Sequence, residues 1–258
     1  MWGWSFYKCR MKRILVLVLG VGVLLGGLVG AEEVHPSTTA QVRLASWWFA
    51  RHAEKVAEIE EANDPKKEKA IEQFMVGDSI TNNFDKDGPG EAVWEKYFVP
   101  LNALNLGFGG DRTNHVLWRL EHLPALKTAP KAASLMIGTN NICWGSDQPR
   151  QAADGVKAIA EKLHAMYPEM EILVLGVFPR REKVDHPHRK QITELNSYLP
   201  DLLKAVPNVR FMDIGDGCLD EEGFLSREMM PDTTHPSEKG HEIWAQAVVP
   251  VLEEMMED

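Results

Sequence analysis

Five short apolar runs, at residues 71–76, 103–108, 133–137, 171–178 and 209–214, punctuate the chain, with longer amphipathic stretches between them. Runs of this length, rich in Val, Ile, Leu and Phe and bounded by Gly, Asn or Pro, predict strands. The run at 171–178 shows no polar alternation and predicts a strand buried on both faces. The intervening stretches carry apolar residues at helical spacing. Leu44, Trp47, Trp48, Val56 and Ile59 mark a helix over 42–62, which Asn63-Asp64-Pro65 ends. Val116, Leu117 and Leu120 mark a second over 113–123, with Asp111 or Thr113 placed to cap its start. Ala153, Val156, Ile159, Ala160 and Leu163 share one face of a third over 150–166. A fourth is expected over 188–205, bent or interrupted at Pro200, and a fifth over 237–256 with Trp244, Val248 and Leu252 inward. Alternation of this kind predicts an α/β fold, a three-layer α/β/α arrangement around a five-stranded parallel sheet. Such sheets bind ligands beyond the carboxyl ends of their strands.

The N-terminus has a different texture. Lys8, Arg10, Lys12 and Arg13 precede an unbroken apolar and glycine run over 14–30, which ends in Val29-Gly30-Ala31 before Glu32-Glu33. A basic stretch, an apolar core and small residues before an acidic flank predict an export signal cleaved after Ala31. The alternative is an uncleaved membrane anchor, although the run lies at the short limit for a bilayer span. Residues 32–41 read as a linker, and 42–258 as a single domain that is periplasmic or secreted.

Loss of residues 1–31 moves the formal charge from −10 to −14, since that segment holds four basic and no acidic residues. So acidic a surface argues against nucleic acid or anionic lipid as the main partner. Beyond the leader only Cys143 and Cys218 remain, too few for a disulfide framework, and whether they pair is left open.

Polar motifs cluster where the strands end. Gly77-Asp78-Ser79 follows the first run, Gly109-Gly110-Asp111 the second and Gly138-Thr139-Asn140-Asn141 the third. Asp232-Thr233-Thr234-His235-Pro236 precedes the last helix. Hydrolysis through a serine needs a hydroxyl on a sharp strand-to-helix turn, an imidazole to take its proton, and donors aimed at the developing oxyanion. Ser79 meets the first need. His235 meets the second, with Asp232 three residues earlier to turn back and fix its tautomer. The backbone N–H groups of Ser79 and Gly110 and the side-chain amide of Asn140 meet the third. Each motif alone also reads as ordinary turn or capping chemistry. Asp78, Asp111 and Asn105 read as braces for the turns, and Trp94, Trp118 and Trp244 as core. Trp144 and Arg180 are candidate substrate-rim residues. No metal-ligand spacing and no phosphate-binding glycine loop occurs, so neither metal nor cofactor is expected. Asp85-Lys86-Asp87-Gly88 is only a fragment of a calcium loop.

Together, the order Ser79, Gly110, Asn140, Asp232/His235 resembles the SGNH (GDSL) hydrolase superfamily, and the likeness covers about residues 71–245. It rests on FMVGDSIT (74–81), ALNLGFGGDRTNHVLWRLE (103–121), MIGTNN (136–141), ILVLGVFPR (172–180) and MPDTTHPSEKGHEIWA (230–245). It is similar above all to the platelet-activating-factor acetylhydrolase catalytic subunits and to bacterial acetylesterases. The resemblance implies a flavodoxin-like SGNH fold and an esterase without cofactor. It implies Ser79 as nucleophile, His235 as base, Asp232 as its orienter, and Ser79, Gly110 and Asn140 as oxyanion hole. The implied substrate is a small-molecule or glycan ester, with acetyl as acyl group, and an oligomer is compatible with it. Thr233-Thr234 departs from the bulkier apolar pair of the lipid-acting subunits, which counts against a lipid substrate. The rival readings are a lysophospholipase or thioesterase acting on long acyl chains, and a non-catalytic glycan-binding module on the same scaffold.

Overall fold

In a computed structural model, residues 35–85, 87–145 and 147–257 are described. The export signal expected over residues 1–31 lies outside them. No helix among the described residues is long and apolar enough to cross a membrane.

Strands β1 (Gln73–Gly77), β2 (Ala103–Gly107), β3 (Ala132–Met136), β4 (Glu171–Leu175) and β5 (Val209–Met212) form one parallel sheet in the order β2-β1-β3-β4-β5. Every residue of β1 and β3 is buried, which is why those segments, Gln73 and Ser134 apart, read as apolar rather than alternating. Alternate side chains feed two cores. Phe74, Val76, Leu104, Leu106, Leu135, Ile172 and Val174 face one way. There they meet α4 (Thr113–Glu121), α6 (Pro149–Met166) and α7 (Pro187–Leu203). Met75, Met136, Leu173 and Leu175 face the other way, against α3 (Glu91–Tyr97) and α8 (Glu238–Glu257). The result is the expected three-layer α/β/α arrangement.

The chain leaves β1 outward to β2, then returns across β1 to lay down β3. Connections therefore diverge on either side of β1, and a crevice opens beyond its carboxyl end. Gly77 aligns with Gly107 on one side and Met136 on the other, so the loops after β1, β2 and β3 begin at the same level.

Several expectations need correction. Helix α1 spans Ser46–Ala62, and its inward face is Trp48, His52, Lys55 and Ile59. Of the apolar positions that mark the predicted helix, Leu44 precedes α1 and is 87% exposed, and Trp47 is 45% exposed. Helix α7 runs through Pro200 to Leu203 without interruption. Residues 35–41 are no bare linker: the Ser37 hydroxyl donates to Gln151 O at 2.7 Å and its carbonyl accepts from Thr113 Oγ1 at 2.8 Å. Gly155 lets this segment and α4 meet α6, since a Cβ there would stand 2.5 Å from Thr113 Oγ1 and 2.8 Å from Ser37 O. Cys143 and Cys218 both carry free thiols.

A buried ion pair stands behind the strand ends. Asp111 and Arg119 are both fully buried, with Arg119 Nε donating to Asp111 Oδ2 at 2.8 Å. Arg119 also donates to Leu106 O at 3.1 Å and to Gly77 O at 3.3 Å, while Trp48 Nε1 donates to Asp111 Oδ1 at 2.8 Å. Asp111 thus braces the turn, as expected, but through Arg119 rather than as a helix cap. Burial works against both charges, pushing the Asp111 carboxyl up and the Arg119 guanidinium down, and their mutual attraction opposes it. Removing one partner strands the other charge in the core. Arg119→Met is expected to lower the unfolding free energy by about 3–5 kcal/mol, read from urea denaturation. A loss of under ~1 kcal/mol would show that the pair does not brace the fold.

Candidate active site

Gly77 ends β1 where no side chain fits: a Cβ would stand 2.1 Å from Thr81 Oγ1 and 2.8 Å from Met136 O. The chain then turns at once into the short helix α2 (Ser79–Asn82). Asp78 caps this turn, its Oδ1 accepting from Ile80 N at 3.0 Å. Ser79 is the first helical residue, so its own N–H has no intrahelical partner. Its side chain is half-buried, and the hydroxyl donates to His235 Nε2 at 2.8 Å across 156 residues of chain.

His235 is held by the carboxylate it was expected to use. Asp232 Oδ2 accepts from His235 Nδ1 at 2.7 Å, and Oδ1 accepts the backbone N–H groups of Thr234 at 2.9 Å and His235 at 2.8 Å. An ionised carboxylate only accepts, so Nδ1 carries the imidazole proton and Nε2 keeps a lone pair for Ser79. Burial pulls the Asp232 carboxyl up, but the hydrogen bonds and charge of His235 and the Thr234 N–H outweigh it and hold the group below its usual range. The loop needs an unusual backbone. Thr233 sits at φ 63°, a left-handed conformation that β-branched residues avoid. Two hydrogen bonds hold it there, from Thr233 N to Met230 O at 2.9 Å and from Arg181 N to Thr233 O at 3.0 Å.

The donor groups come from the two strands flanking β1. Gly110, after β2, adopts φ 71°, which glycine tolerates freely. Asn140 lies in helix α5 (Thr139–Cys143), directly after β3. Its Nδ2 donates to Asp111 O at 2.9 Å and its Oδ1 accepts from Trp144 Nε1 at 3.3 Å, which fixes the amide orientation and leaves a second Nδ2 hydrogen. Ser79, Gly110 and Asn140 thus occupy three adjacent strand ends, in the crevice that topology alone locates.

The rim candidates divide. The Trp144 ring is 70% exposed, with only its N–H engaged. Arg180 is half-buried, Nη1 donating to Thr139 Oγ1 at 3.3 Å at the start of α5. Asn105 ties loops as expected, donating to Thr81 O at 3.0 Å and accepting from Gly107 N at 2.8 Å. Trp244 is core, while Trp94 and Trp118 are half-buried. Among the described residues no group of three or more His, Cys, Asp or Glu could hold a metal ion. Sequence reasoning missed two groups. Arg119 stands on the inward face of α4 among Val116, Leu117 and Leu120, where a charge signals a buried counter-ion. Arg43 carries no such signal, yet its Nη1 donates to Gly109 O at 2.7 Å.

Comparison with known proteins agrees with this geometry. The family model described as GDSL-like Lipase/Acylhydrolase matches residues 75–243. The rat platelet-activating factor acetylhydrolase IB subunit alpha1 is 31% identical over 206 residues, covering 80% of this chain and 82% of that one. A GDSL-like lipase from Bacteroides thetaiotaomicron superposes with a TM-score of 0.64 at 20% identity, covering 80% and 97% of the two chains. An acetylxylan esterase from Geobacillus stearothermophilus does so with a TM-score of 0.52 at 20% identity, covering 72% and 94%. At such identities the structural likenesses speak to the fold alone.

Asp78 supplies a test of the electrostatics. Burial raises its carboxyl from 3.8 to about 7, against the Ile80 N–H and the charges of His235 and Arg180, while Asp111 adds to the rise. The folded state therefore holds this proton more tightly than the unfolded one, and stability falls as pH climbs from about 4 to about 7, the full penalty applying above that window. Asp78→Asn keeps an acceptor for Ile80 N and removes the ionisation. It is expected to flatten that decline and to exceed the wild type near pH 8 by a few kcal/mol, at ~1.4 kcal/mol per pKa unit. Melting curves across this range check it; the same pH slope in both proteins would acquit Asp78.

Proposed function

Because the chain belongs to the GDSL-like lipase/acylhydrolase family and is thus a carboxylic ester hydrolase, we propose that it removes short acyl groups, acetyl above all, from carbohydrate through a Ser79 acyl-enzyme. The continuous relay from Ser79 Oγ through His235 to Asp232, at 2.8 and 2.7 Å, carries the reading. Ser79 Oγ attacks the ester carbonyl carbon as its proton passes to His235 Nε2. Asp232 stabilises the imidazolium. The oxyanion accepts hydrogen bonds from the N–H groups of Ser79 and Gly110 and from Asn140 Nδ2, and each such donor is worth about 3–4 kcal/mol of barrier. Collapse breaks the bond to the alcohol oxygen, which takes the proton from His235. Water then attacks the acyl carbon with His235 again as base, and acetate leaves as the hydroxyl re-forms.

Three features support the substrate class. The relatives with acetyl in their names, an acetylhydrolase and an acetylxylan esterase, share the family or the fold. The exposed Trp144 ring beside Asn140 offers a flat apolar face of the kind sugars stack on. Thr233 and Thr234, both buried, line the histidine loop with small polar side chains. Export, with residues 1–31 removed, belongs to the same proposal, because acetylated polysaccharides lie outside the cytoplasm.

Ser79→Ala is expected to cut kcat on p-nitrophenyl acetate by at least ~10³-fold with the melting temperature unchanged. Wild-type turnover in that variant would remove Ser79 from the reaction. An ester series from acetyl to decanoyl should fall steeply beyond butyryl, and acetylated xylan should be deacetylated faster than a short-chain phospholipid. A maximum at long chains would instead favour a lysophospholipase or thioesterase.

A further inference from the structure

Arg43 reaches the loop after β2 from a segment outside the sheet and its helices. Residues 35–45 run as a strap over α6 and the start of α4. Besides the Ser37 contacts, Gln41 N donates to Asn114 O at 3.0 Å, and Asn114 Nδ2 donates to Gln41 Oε1 at 2.6 Å. Helix α1 begins at Ser46, so Arg43 lies between two anchored points. Its guanidinium donates to Gly109 O at 2.7 Å, lies 3.7 Å from Asp111 Oδ1 and sits over the Trp47 ring at 4.9 Å.

The Gly109 carbonyl and the Gly110 N–H belong to one planar peptide unit and point to opposite sides of it. Whatever fixes the oxygen therefore aims the N–H. This unit lies between two glycines, the pair least resistant to a peptide flip. Packing beside Gly109 is loose: a Cβ there would meet only Asn82 Oδ1 at 3.9 Å and Trp47 Cη2 at 4.0 Å, whereas one on Gly110 would stand 2.9 Å from Arg43 Nη1. Among the described residues, Arg43 is the donor recorded on that oxygen. A charge-assisted bond to the carbonyl also draws electron density from the amide and strengthens its N–H as a donor.

We propose that Arg43 is a positioning residue for ester hydrolysis: it clamps the Gly109–Gly110 peptide so that the Gly110 N–H stays aimed at the developing oxyanion. This rests on the reading of Gly110 as an oxyanion donor given above. The bond is made in the ground state, and its benefit falls on a group that is charged only in the transition state. The clamp thus acts on kcat and leaves KM alone.

The full chain is compared with R43A, R43K and S79A on p-nitrophenyl acetate, with rates divided by the active sites titrated with a fluorophosphonate where Ser79 is present and by protein concentration for S79A. R43A is expected to lose about 10–100-fold in kcat, part of what a whole donor supplies, with KM within about twofold. R43K, which still places a charged donor near Gly109 O, should recover most of that loss. The Gly110 amide resonance should broaden in R43A through microsecond-to-millisecond exchange and sharpen again in R43K. Wild-type kcat in R43A while S79A is inactive overturns the clamp alone. So does a loss matched by a rise in KM, which would make Arg43 a substrate contact. Turnover persisting in S79A overturns the reading of the site, and the clamp with it.

Discussion

The carboxyl ends of β1 and β2 are held in place by one guanidinium that never meets water. Arg119 binds the Gly77 and Leu106 carbonyls and the Asp111 carboxylate at once, and Phe108 covers it with its centre 3.9 Å from the ring. The two strand ends that carry Ser79 and Gly110 are thereby joined through one buried charge. Such an arrangement is costly to desolvate and contributes little net stability. What it supplies is definition: a buried charge tolerates one geometry, and the loops above inherit it.

Two other arginines extend the pattern outward. Arg51 Nε donates to Gly107 O at 2.7 Å and its Nη1 pairs with Asp85, while Arg43 takes the Gly109 carbonyl. Carbonyls at the end of β2 and in its loop are thus each engaged by an arginine. Where backbone N–H groups are proposed to stabilise negative charge, anchoring the opposite ends of nearby peptide units is a direct means of preorganisation. Asp85, which in sequence resembles part of a calcium loop, is occupied by this role.

The sheet was legible because its central strands are buried on both faces and write runs that are mostly apolar, with Gln73 and Ser134 as polar exceptions. Residues 133–137 and 171–178 were placed within a few positions of β3 and β4 for that reason. The site was legible because its chemistry needs particular residue types at strand ends, and Ser79, His235 and Asp232 meet as that chemistry requires. Helices α2, α3 and α5 were not foreseen, since four to seven residues are too few to show a period. The strap was misread for another reason. Its contacts run through hydroxyls and backbone groups of Pro36-Ser37-Thr38, a composition typical of linkers. Leu44 and Trp47 fit the helical spacing of α1, but the helix begins only at Ser46, and its buried stripe includes His52 and Lys55 in place of apolar residues. Trp48 is common to both readings, because its ring fills the core while its N–H satisfies Asp111.

The thiols carry a practical consequence. Burial pushes the Cys218 thiol up to about 11 and raises that of Cys143, which disfavours the thiolate in both. The architecture from residue 35 onward closes without a covalent staple. Cys143 and Cys218 are unpaired, so a reductant has no bond between them to break.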